Sequence, residues 1–80
     1  MDDLTPIGSR IKGLREKNGM TQRQFAGYLG INEAAVAKYE CGINDPSIFV
    51  LVKIARAFNV RTDYLLGIED ESGKREVYVR

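Results

Sequence analysis

The chain has 80 residues, of which 44% are hydrophobic and 29% charged, a balance that predicts one globular domain and excludes a disordered or fibrous chain. Its net charge of +1 lacks the basic excess that would by itself indicate nucleic-acid binding. No run approaches the roughly 18 to 20 apolar residues that span a bilayer, and the start Met1-Asp2-Asp3 is acidic where a signal peptide is basic, so we expect a cytoplasmic protein that does not contact a membrane. One cysteine and no histidine exclude an internal disulfide and disfavour a zinc site, so we expect no metal and no cofactor.

The first predicted helix begins after the capping pair Thr5-Pro6 and ends at Asn18-Gly19. Its apolar face, at helical spacing, is formed by Ile7, Ile11 and Leu14. The outer side is basic, because residues 10–23 carry five lysines and arginines and one glutamate. This local charge favours a polyanionic partner even though the whole chain is almost neutral.

A capping box predicts the start of a second helix at Thr21, since the Thr21 hydroxyl and the Gln24 side chain can satisfy backbone donors reciprocally. Met20 before the cap and Phe25 inside the helix have the spacing of a hydrophobic staple. The helix ends before Gly30, which can adopt the left-handed conformation that a side chain resists.

Shortly afterwards, Asn32 can cap a third helix that Gly42 ends, with Ile31 and Val36 as a second staple. Two short capped helices joined by so brief a turn cannot lie antiparallel and must cross at a large angle. Residues 21–42 therefore predict a helix-turn-helix.

Pro46 indicates a loop after the third helix, and Ser47 can cap a fourth helix. The apolar stripe predicted for that helix consists of Ile48, Leu51, Val52, Ile54, Ala55 and Phe58. A last short helix is expected over residues 63–66, where Gly67 stops it.

The predicted elements define an all-α fold of five short helices in residues 1–67. Residues 68–80 are expected to form a polar linker and a tail. Within the tail, residues 76–80 alternate with β period and can form a strand.

The helix-turn-helix segment contains an ordered set of motifs: Thr21-Gln22-Arg23-Gln24-Phe25-Ala26, Leu29-Gly30-Ile31, Val36-Ala37-Lys38-Tyr39-Glu40 and Gly42. Together these motifs resemble the Cro and phage-repressor (XRE) helix-turn-helix family, and the resemblance extends from Ile7 to Asp63-Tyr64-Leu65-Leu66-Gly67. It implies a compact lambda-repressor-like domain that binds double-stranded DNA and regulates transcription.

The third helix is the candidate for reading base edges, because an α-helix fits the major groove of B-DNA. Helical spacing turns Ala35, Val36 and Tyr39 inward. The outward residues, which are our groove candidates, are Asn32, Glu33, Ala34, Ala37 and Lys38. Glu33 can accept from a cytosine amino group, Lys38 can donate to guanine or phosphate, and Ala34 can touch a thymine methyl group. The alternative for Glu33 is a surface acid that matches the positive end of the helix dipole.

Gln22 matches a family glutamine that contacts backbone phosphate; the alternative is an ordinary polar residue in the first turn. Arg10 and Arg23 are further phosphate candidates, and a solvated surface role is the alternative for each. The resemblance also implies a partly buried structural ion pair between Arg15 and Glu40, which ties the first helix to the end of the third.

The loop after the third helix departs from the family pattern, because residues 41–45 contain no lysine or arginine. Cys41 stands where the family commonly has asparagine. A redox role for this thiol is an alternative, but only Lys38 provides a nearby positive charge and Glu40 adjoins it.

Phe49 lies off the apolar stripe of the fourth helix. We expect Phe49 and Tyr64 to meet either the tail segment Val77-Tyr78-Val79 or a second subunit, with a simple core role for Phe49 as the alternative. The tail either pairs with its copy across a two-fold axis or is not ordered.

These observations favour a homodimeric, repressor-type regulator that binds a pseudo-palindromic operator. The alternative is an antitoxin or controller-type adaptor that acts through contacts with an unidentified protein. We expect no enzymatic activity, since the chain has no histidine, no glycine-rich phosphate loop and no evident base beside Cys41.

Overall fold

The computed structural model of the chain describes residues 7–67. It contains five α-helices: α1 (Ile7–Lys17), α2 (Gln22–Leu29), α3 (Glu33–Glu40), α4 (Ile48–Phe58) and α5 (Thr62–Leu66). Because these residues include no strand, the predicted all-α fold is confirmed for the described part of the chain. Three predicted features lie outside the described residues: the cap at Thr5-Pro6, the tail of residues 68–80 with Val77, Tyr78 and Val79, and the possible strand at 76–80. The division of the chain at residue 67 stays a prediction.

Side-chain caps define the starts of α2 and α4 as the sequence predicts. The Thr21 hydroxyl accepts a hydrogen bond from the Gln24 N–H at 3.0 Å, and the Gln24 side chain accepts one from the Thr21 N–H at 2.9 Å. The Ser47 hydroxyl accepts from the N–H three residues later at 3.2 Å. Helix α5 begins at Thr62, one residue earlier than predicted, because its extended N-cap residue is Arg61, which makes no side-chain cap bond.

The turn between α2 and α3 has only three residues. Gly30 ends α2 with φ 71° and ψ 33°, a left-handed conformation in which a side chain would be strained. The Ile31 N–H then donates to the Ala26 carbonyl at 2.9 Å, which turns the chain sharply into α3. Helix α3 ends at Glu40 with Cys41 as its C-cap, so Gly42 lies in the turn that follows rather than at the helix end.

All five helices contribute to one apolar core. Its buried residues are Ile11, Leu14, Phe25, Ala26, Leu29, Val36, Leu51, Ile54, Ala55 and Leu65. The rings of Phe25 and Phe58 stack with centroids 5.2 Å apart and so join α2 to α4. Both predicted staple residues, Met20 and Ile31, pack against this core. Within residues 7–67, no helix is both long enough and apolar enough to cross a membrane.

The predicted stripe of α4 is wrong at Ile48, which is 77% exposed. At about 100° per residue, Ile48 lies roughly 70° from the centre of the face formed by Leu51, Ile54, Ala55 and Phe58. It is also the first residue of the helix, one turn before burial begins. Phe49 lies roughly 170° from the same centre and is 81% exposed, so its alternative core role is wrong as well.

Helix α1 packs against α3 with no space for a side chain at Gly8. A Cβ atom placed there would lie 2.0 Å from the backbone oxygen of Tyr39 and 3.3 Å from the Cα of Glu40. The absence of a side chain at Gly8 therefore sets how closely α1 approaches the end of α3.

Candidate nucleic-acid interface

Helix α3 has one anchored face and one exposed face. Val36 is fully buried, and Ala35 and Tyr39 are half-buried, so the three residues predicted to turn inward do so. Four of the predicted outward residues are exposed: Asn32, Glu33, Ala34 and Lys38. We call these four the recognition surface. Ala37, predicted to face outward, is half-buried and lies at its edge.

The N-cap of α3 uses part of the chemistry of the recognition surface. The Oδ1 atom of Asn32 accepts a hydrogen bond from the Ala34 N–H at 2.8 Å. The Nδ2 group of Asn32 can only donate, so this side chain presents mainly a donor to a partner. Glu33 adds an acceptor and Lys38 a cation, while Ala34 offers only a methyl group.

Three side chains from α1, α2 and α3 meet at the last residue of α3. Arg15 of α1 donates two hydrogen bonds to Glu40 of α3, from Nε to Oε2 at 2.6 Å and from Nη2 to Oε1 at 3.0 Å. Gln22, the first residue of α2, donates from Nε2 to Glu40 Oε1 at 3.0 Å. The Arg15 Nη1 group donates to the Met20 carbonyl at 2.7 Å. This set, which we call the Arg15–Glu40–Gln22 network, therefore fixes α1, α2 and α3 to one another.

The Arg15–Glu40 ion pair implied by the family resemblance is confirmed, and it is largely removed from water. The side chains of Arg15 and Glu40 are 12% and 5% exposed. The hydrogen bond to Glu40 raises the pKa of Arg15 above its usual value, against a smaller opposing effect of burial. Removing either partner would leave the other as an uncompensated buried charge.

The arginines predicted as phosphate candidates have different surroundings. Arg23, in the first turn of α2, is exposed. Arg10 instead donates from Nη1 to the Tyr64 carbonyl at 3.1 Å, and its guanidinium lies 5.4 Å from the centre of the Tyr64 ring. Arg10 thus ties α1 to α5, and a phosphate contact by this residue, which stays a prediction, competes with these bonds.

A family model described as Helix-turn-helix matches residues 11–65, which include the capped α2 and α3 and the core around them. The chain belongs to the XRE-type helix-turn-helix family. This confirms the family predicted from the motifs between Thr21 and Gly42.

Known members of the helix-turn-helix family resemble the chain in sequence and in fold. It is 40% identical over 70 residues to the HTH-type transcriptional regulator ImmR of Bacillus subtilis (strain 168), a match that covers 88% of the chain and 55% of ImmR. The chain therefore spans about half the length of that relative. The repressor protein c2 of P22, solved in complex with synthetic operator 9T, superposes with a TM-score of 0.72 at 26% identity over 78% of the chain and 94% of the repressor.

A second similar structure is the restriction-modification controller protein C.AhdI from Aeromonas hydrophila. It superposes with a TM-score of 0.70 at 28% identity over 79% of the chain and 96% of C.AhdI. The shared fold covers the helix-turn-helix and the helices that support it.

Two contacts made by the helix-turn-helix were not indicated by the sequence, one within it and one with α1. Gln22 was predicted to contact phosphate, but its bond to Glu40 joins residues 18 positions apart, which no local pattern shows. The close approach at Gly8 was also missed. Its spacing of three residues from Ile11 places both on the same face of α1, which is the one sequence feature that could have indicated it.

The loop after the helix-turn-helix has no basic residue between Cys41 and Ser47. Cys41 is exposed, and its Sγ lies 3.8 Å from the Lys38 carbonyl oxygen. Ile43 in this loop is 68% exposed and lies close in sequence to the exposed Ile48 and Phe49. This stretch therefore exposes three large apolar side chains and no basic one.

Proposed function

We propose that the domain binds double-stranded DNA in a sequence-specific way as a homodimer, with α3 in the major groove, and acts as a cytoplasmic repressor by binding rather than by catalysis. The observation that supports this most is the recognition surface, which projects from α3 while Val36 anchors the opposite face in the core. A polar face on a short, rigidly held helix suits the dimensions of that groove.

The recognition surface offers a small set of base contacts. Glu33 can accept from a cytosine amino group, and Lys38 can donate to guanine or to a phosphate. Ala34 can touch a thymine methyl group, and the Asn32 amide can donate to an acceptor on a base or the backbone. With few contacts per domain, we expect each base contact to contribute strongly to sequence preference.

The phosphate contacts are assigned to the start of α2. The backbone N–H groups of Gln22 and Arg23 lie in the first turn, where an α-helix supplies no acceptor for them. A phosphate can accept from these groups, where the helix dipole also favours negative charge, and from the remaining Gln22 amide hydrogen. Arg23 adds an exposed positive charge at the same place.

Dimerisation is proposed because one domain presents so small a recognition surface. Two copies related by a two-fold axis would read half-sites about one helical turn, roughly 34 Å, apart. The exposed Phe49 supports an apolar contact between copies, and Tyr64 is partly exposed beside Arg10. The c2 protein of P22, which shares this fold, is a repressor that was solved on an operator.

Selection of bound duplexes from a random DNA pool tests sequence preference and two-fold symmetry together. The Gln22→Ala and Lys38→Ala double variant should lose binding to the selected duplex while it keeps its helicity. Its melting temperature should fall only modestly, because Arg15 still pairs with Glu40 when the Gln22 bond is lost. Lys53→Ala, which removes an exposed charge from α4, is the matched control and should keep most of the affinity. Unchanged affinity in the double variant would overturn the assigned interface.

The second candidate is an antitoxin or controller-type adaptor that acts mainly through protein contacts. The apolar side chains of Ile43, Ile48 and Phe49 favour it, as does the loop without basic residues. Salt dependence separates the two functions, because DNA affinity falls with a log–log slope of roughly −0.9 for each neutralised phosphate. An adaptor would bind DNA weakly and with no preferred sequence at any salt concentration.

A further inference from the structure

The carboxylate of Glu40 contacts more than its ion-pair partner. Arg15 holds both of its oxygens, which fixes the plane of the carboxylate, and Oε1 accepts a further bond from Gln22 Nε2. A carboxylate oxygen has lone pairs for both bonds. Glu40 therefore connects the buried ion pair to the residue that opens α2.

A carboxamide nitrogen carries two hydrogens in a fixed planar arrangement. Because one Nε2 hydrogen of Gln22 points to Glu40, the direction of the other is set as well. Within residues 7–67 the second hydrogen has no hydrogen-bond partner. A long side chain held in this way also loses less freedom when it binds a ligand.

Electrostatics explain why the ion pair accompanies this arrangement. A lone carboxylate beside the start of α2 would repel a phosphate. Arg15 cancels the charge of Glu40, so the pair can orient Gln22 without adding net negative charge. The Gln22 backbone N–H and its free amide hydrogen then both remain available as donors.

We propose that Glu40 is a positioning residue, which orients the Gln22 carboxamide so that its free hydrogen donates to a DNA phosphate. This rests on the proposed function, in which Gln22 contacts the backbone. It assigns to the Arg15–Glu40–Gln22 network a role in affinity that is separate from its role in holding the helices together.

The test measures how the effect of Gln22→Ala depends on Glu40, with the duplex selected from the random pool as the probe. In the unmodified chain, Gln22→Ala should weaken binding about 10- to 100-fold, as expected for a hydrogen bond to a charged group. In a Glu40→Ala background, which has no side-chain acceptor at position 40, the same change should weaken binding less than about threefold, since Gln22 is no longer oriented. An equal factor in both backgrounds would overturn the proposal.

Lys38→Ala is the control in both backgrounds. The Lys38 side chain belongs to the recognition surface and not to the network, so Lys38→Ala should weaken binding by the same factor with glutamate or alanine at position 40. If neither Gln22→Ala nor Lys38→Ala changes the affinity of the unmodified chain, the proposed function fails. If Lys38→Ala weakens binding and Gln22→Ala weakens it by the same factor whether or not Glu40 is present, only the positioning role fails.

Two further measurements keep the proposal testable if Glu40→Ala unfolds the chain. The double substitution Arg15→Met with Glu40→Leu removes both charges together and leaves neither unpaired. In that background, Gln22→Ala should hardly change the affinity for the duplex. In the unmodified chain, the two Gln22 amide protons can be followed by NMR, with the exposed Gln24 amide as reference. On adding the duplex, one Gln22 proton should shift while the other keeps its Glu40-bonded position. If the Glu40-bonded proton loses that position when the duplex is added, the proposal is contradicted.

Discussion

Gly8→Ala tests the close approach of α1 to the end of α3. The added Cβ would lie 2.0 Å from the Tyr39 oxygen, whereas separations under 3.0 Å are essentially never seen for real Cβ atoms. Relief therefore requires α1 and the end of α3 to separate by about 1 Å or more. Because the obstacle is backbone and not a flexible side chain, the contact cannot be relieved by a change of rotamer.

The expected cost follows from two opposing effects. Overpacking of this kind destabilises proteins by about 1 to 3 kcal/mol. Replacing glycine by alanine within a helix stabilises the folded state by at most about 0.5 to 1 kcal/mol. Because the obstacle is backbone, we take the upper end of the overpacking range, about 3 kcal/mol. Less about 1 kcal/mol of helix propensity, Gly8→Ala should lower the free energy of unfolding by about 2 kcal/mol, or the melting temperature by roughly 8 to 16 °C for a domain of this size.

Gly13→Ala is the matched control, because it lies in the same helix and a Cβ there meets nothing within 4 Å. It should raise the free energy of unfolding by about 0.5 to 1 kcal/mol through helix propensity alone. Urea denaturation and thermal melting followed by circular dichroism measure both variants. A Gly8→Ala chain as stable as the unmodified chain, with Gly13→Ala behaving as expected, would refute the packing argument.

Three other predictions concern the cap, the ion pair and the apolar surface. Asn32→Ala should destabilise the fold by about 1 kcal/mol in urea denaturation, whereas Asn32→Asp should keep the cap but weaken binding to the selected duplex. If the two variants are equally stable, the cap contributes little. Arg15→Ala should lower the free energy of unfolding by about 3 kcal/mol, whereas the double substitution Arg15→Met with Glu40→Leu should keep a urea midpoint near that of the unmodified chain. If Arg15→Ala leaves the stability unchanged, the buried-charge argument is contradicted. Phe49→Ser should change stability by less than about 0.5 kcal/mol, because the ring is exposed, but should reduce self-association in light scattering; an unchanged oligomeric state would remove Phe49 from the dimer surface.

The features that the sequence predicted well are local. The capping box at Thr21, the left-handed end at Gly30 and the cap at Asn32 each depend on residues a few positions apart, and the structure has all three. The inward direction of Val36 follows from helical periodicity alone. Local rules therefore sufficed for the helix-turn-helix.

The features that were missed depend on how helices meet. The Gln22–Glu40 bond joins residues 18 positions apart, and the Arg10–Tyr64 bond joins residues 54 positions apart. Apolar periodicity also cannot show that α1 approaches α3 closely enough to exclude a side chain at Gly8. The predicted burial of Ile48 was wrong because an apolar residue in the first helical turn resembles a core residue in a periodicity count.

The alanine at position 34 has a consequence for how such a regulator could change its target. Ala34 is exposed and ends at its Cβ atom, so a longer side chain there would extend away from the core and, in the proposed complex, toward the groove. Several longer residues, such as glutamine and arginine, cost little in an α-helix. A single codon change at this position could therefore alter the preferred DNA sequence while leaving the scaffold intact. With α3 in the major groove as proposed, position 34 is a site where new specificity can evolve almost independently of folding.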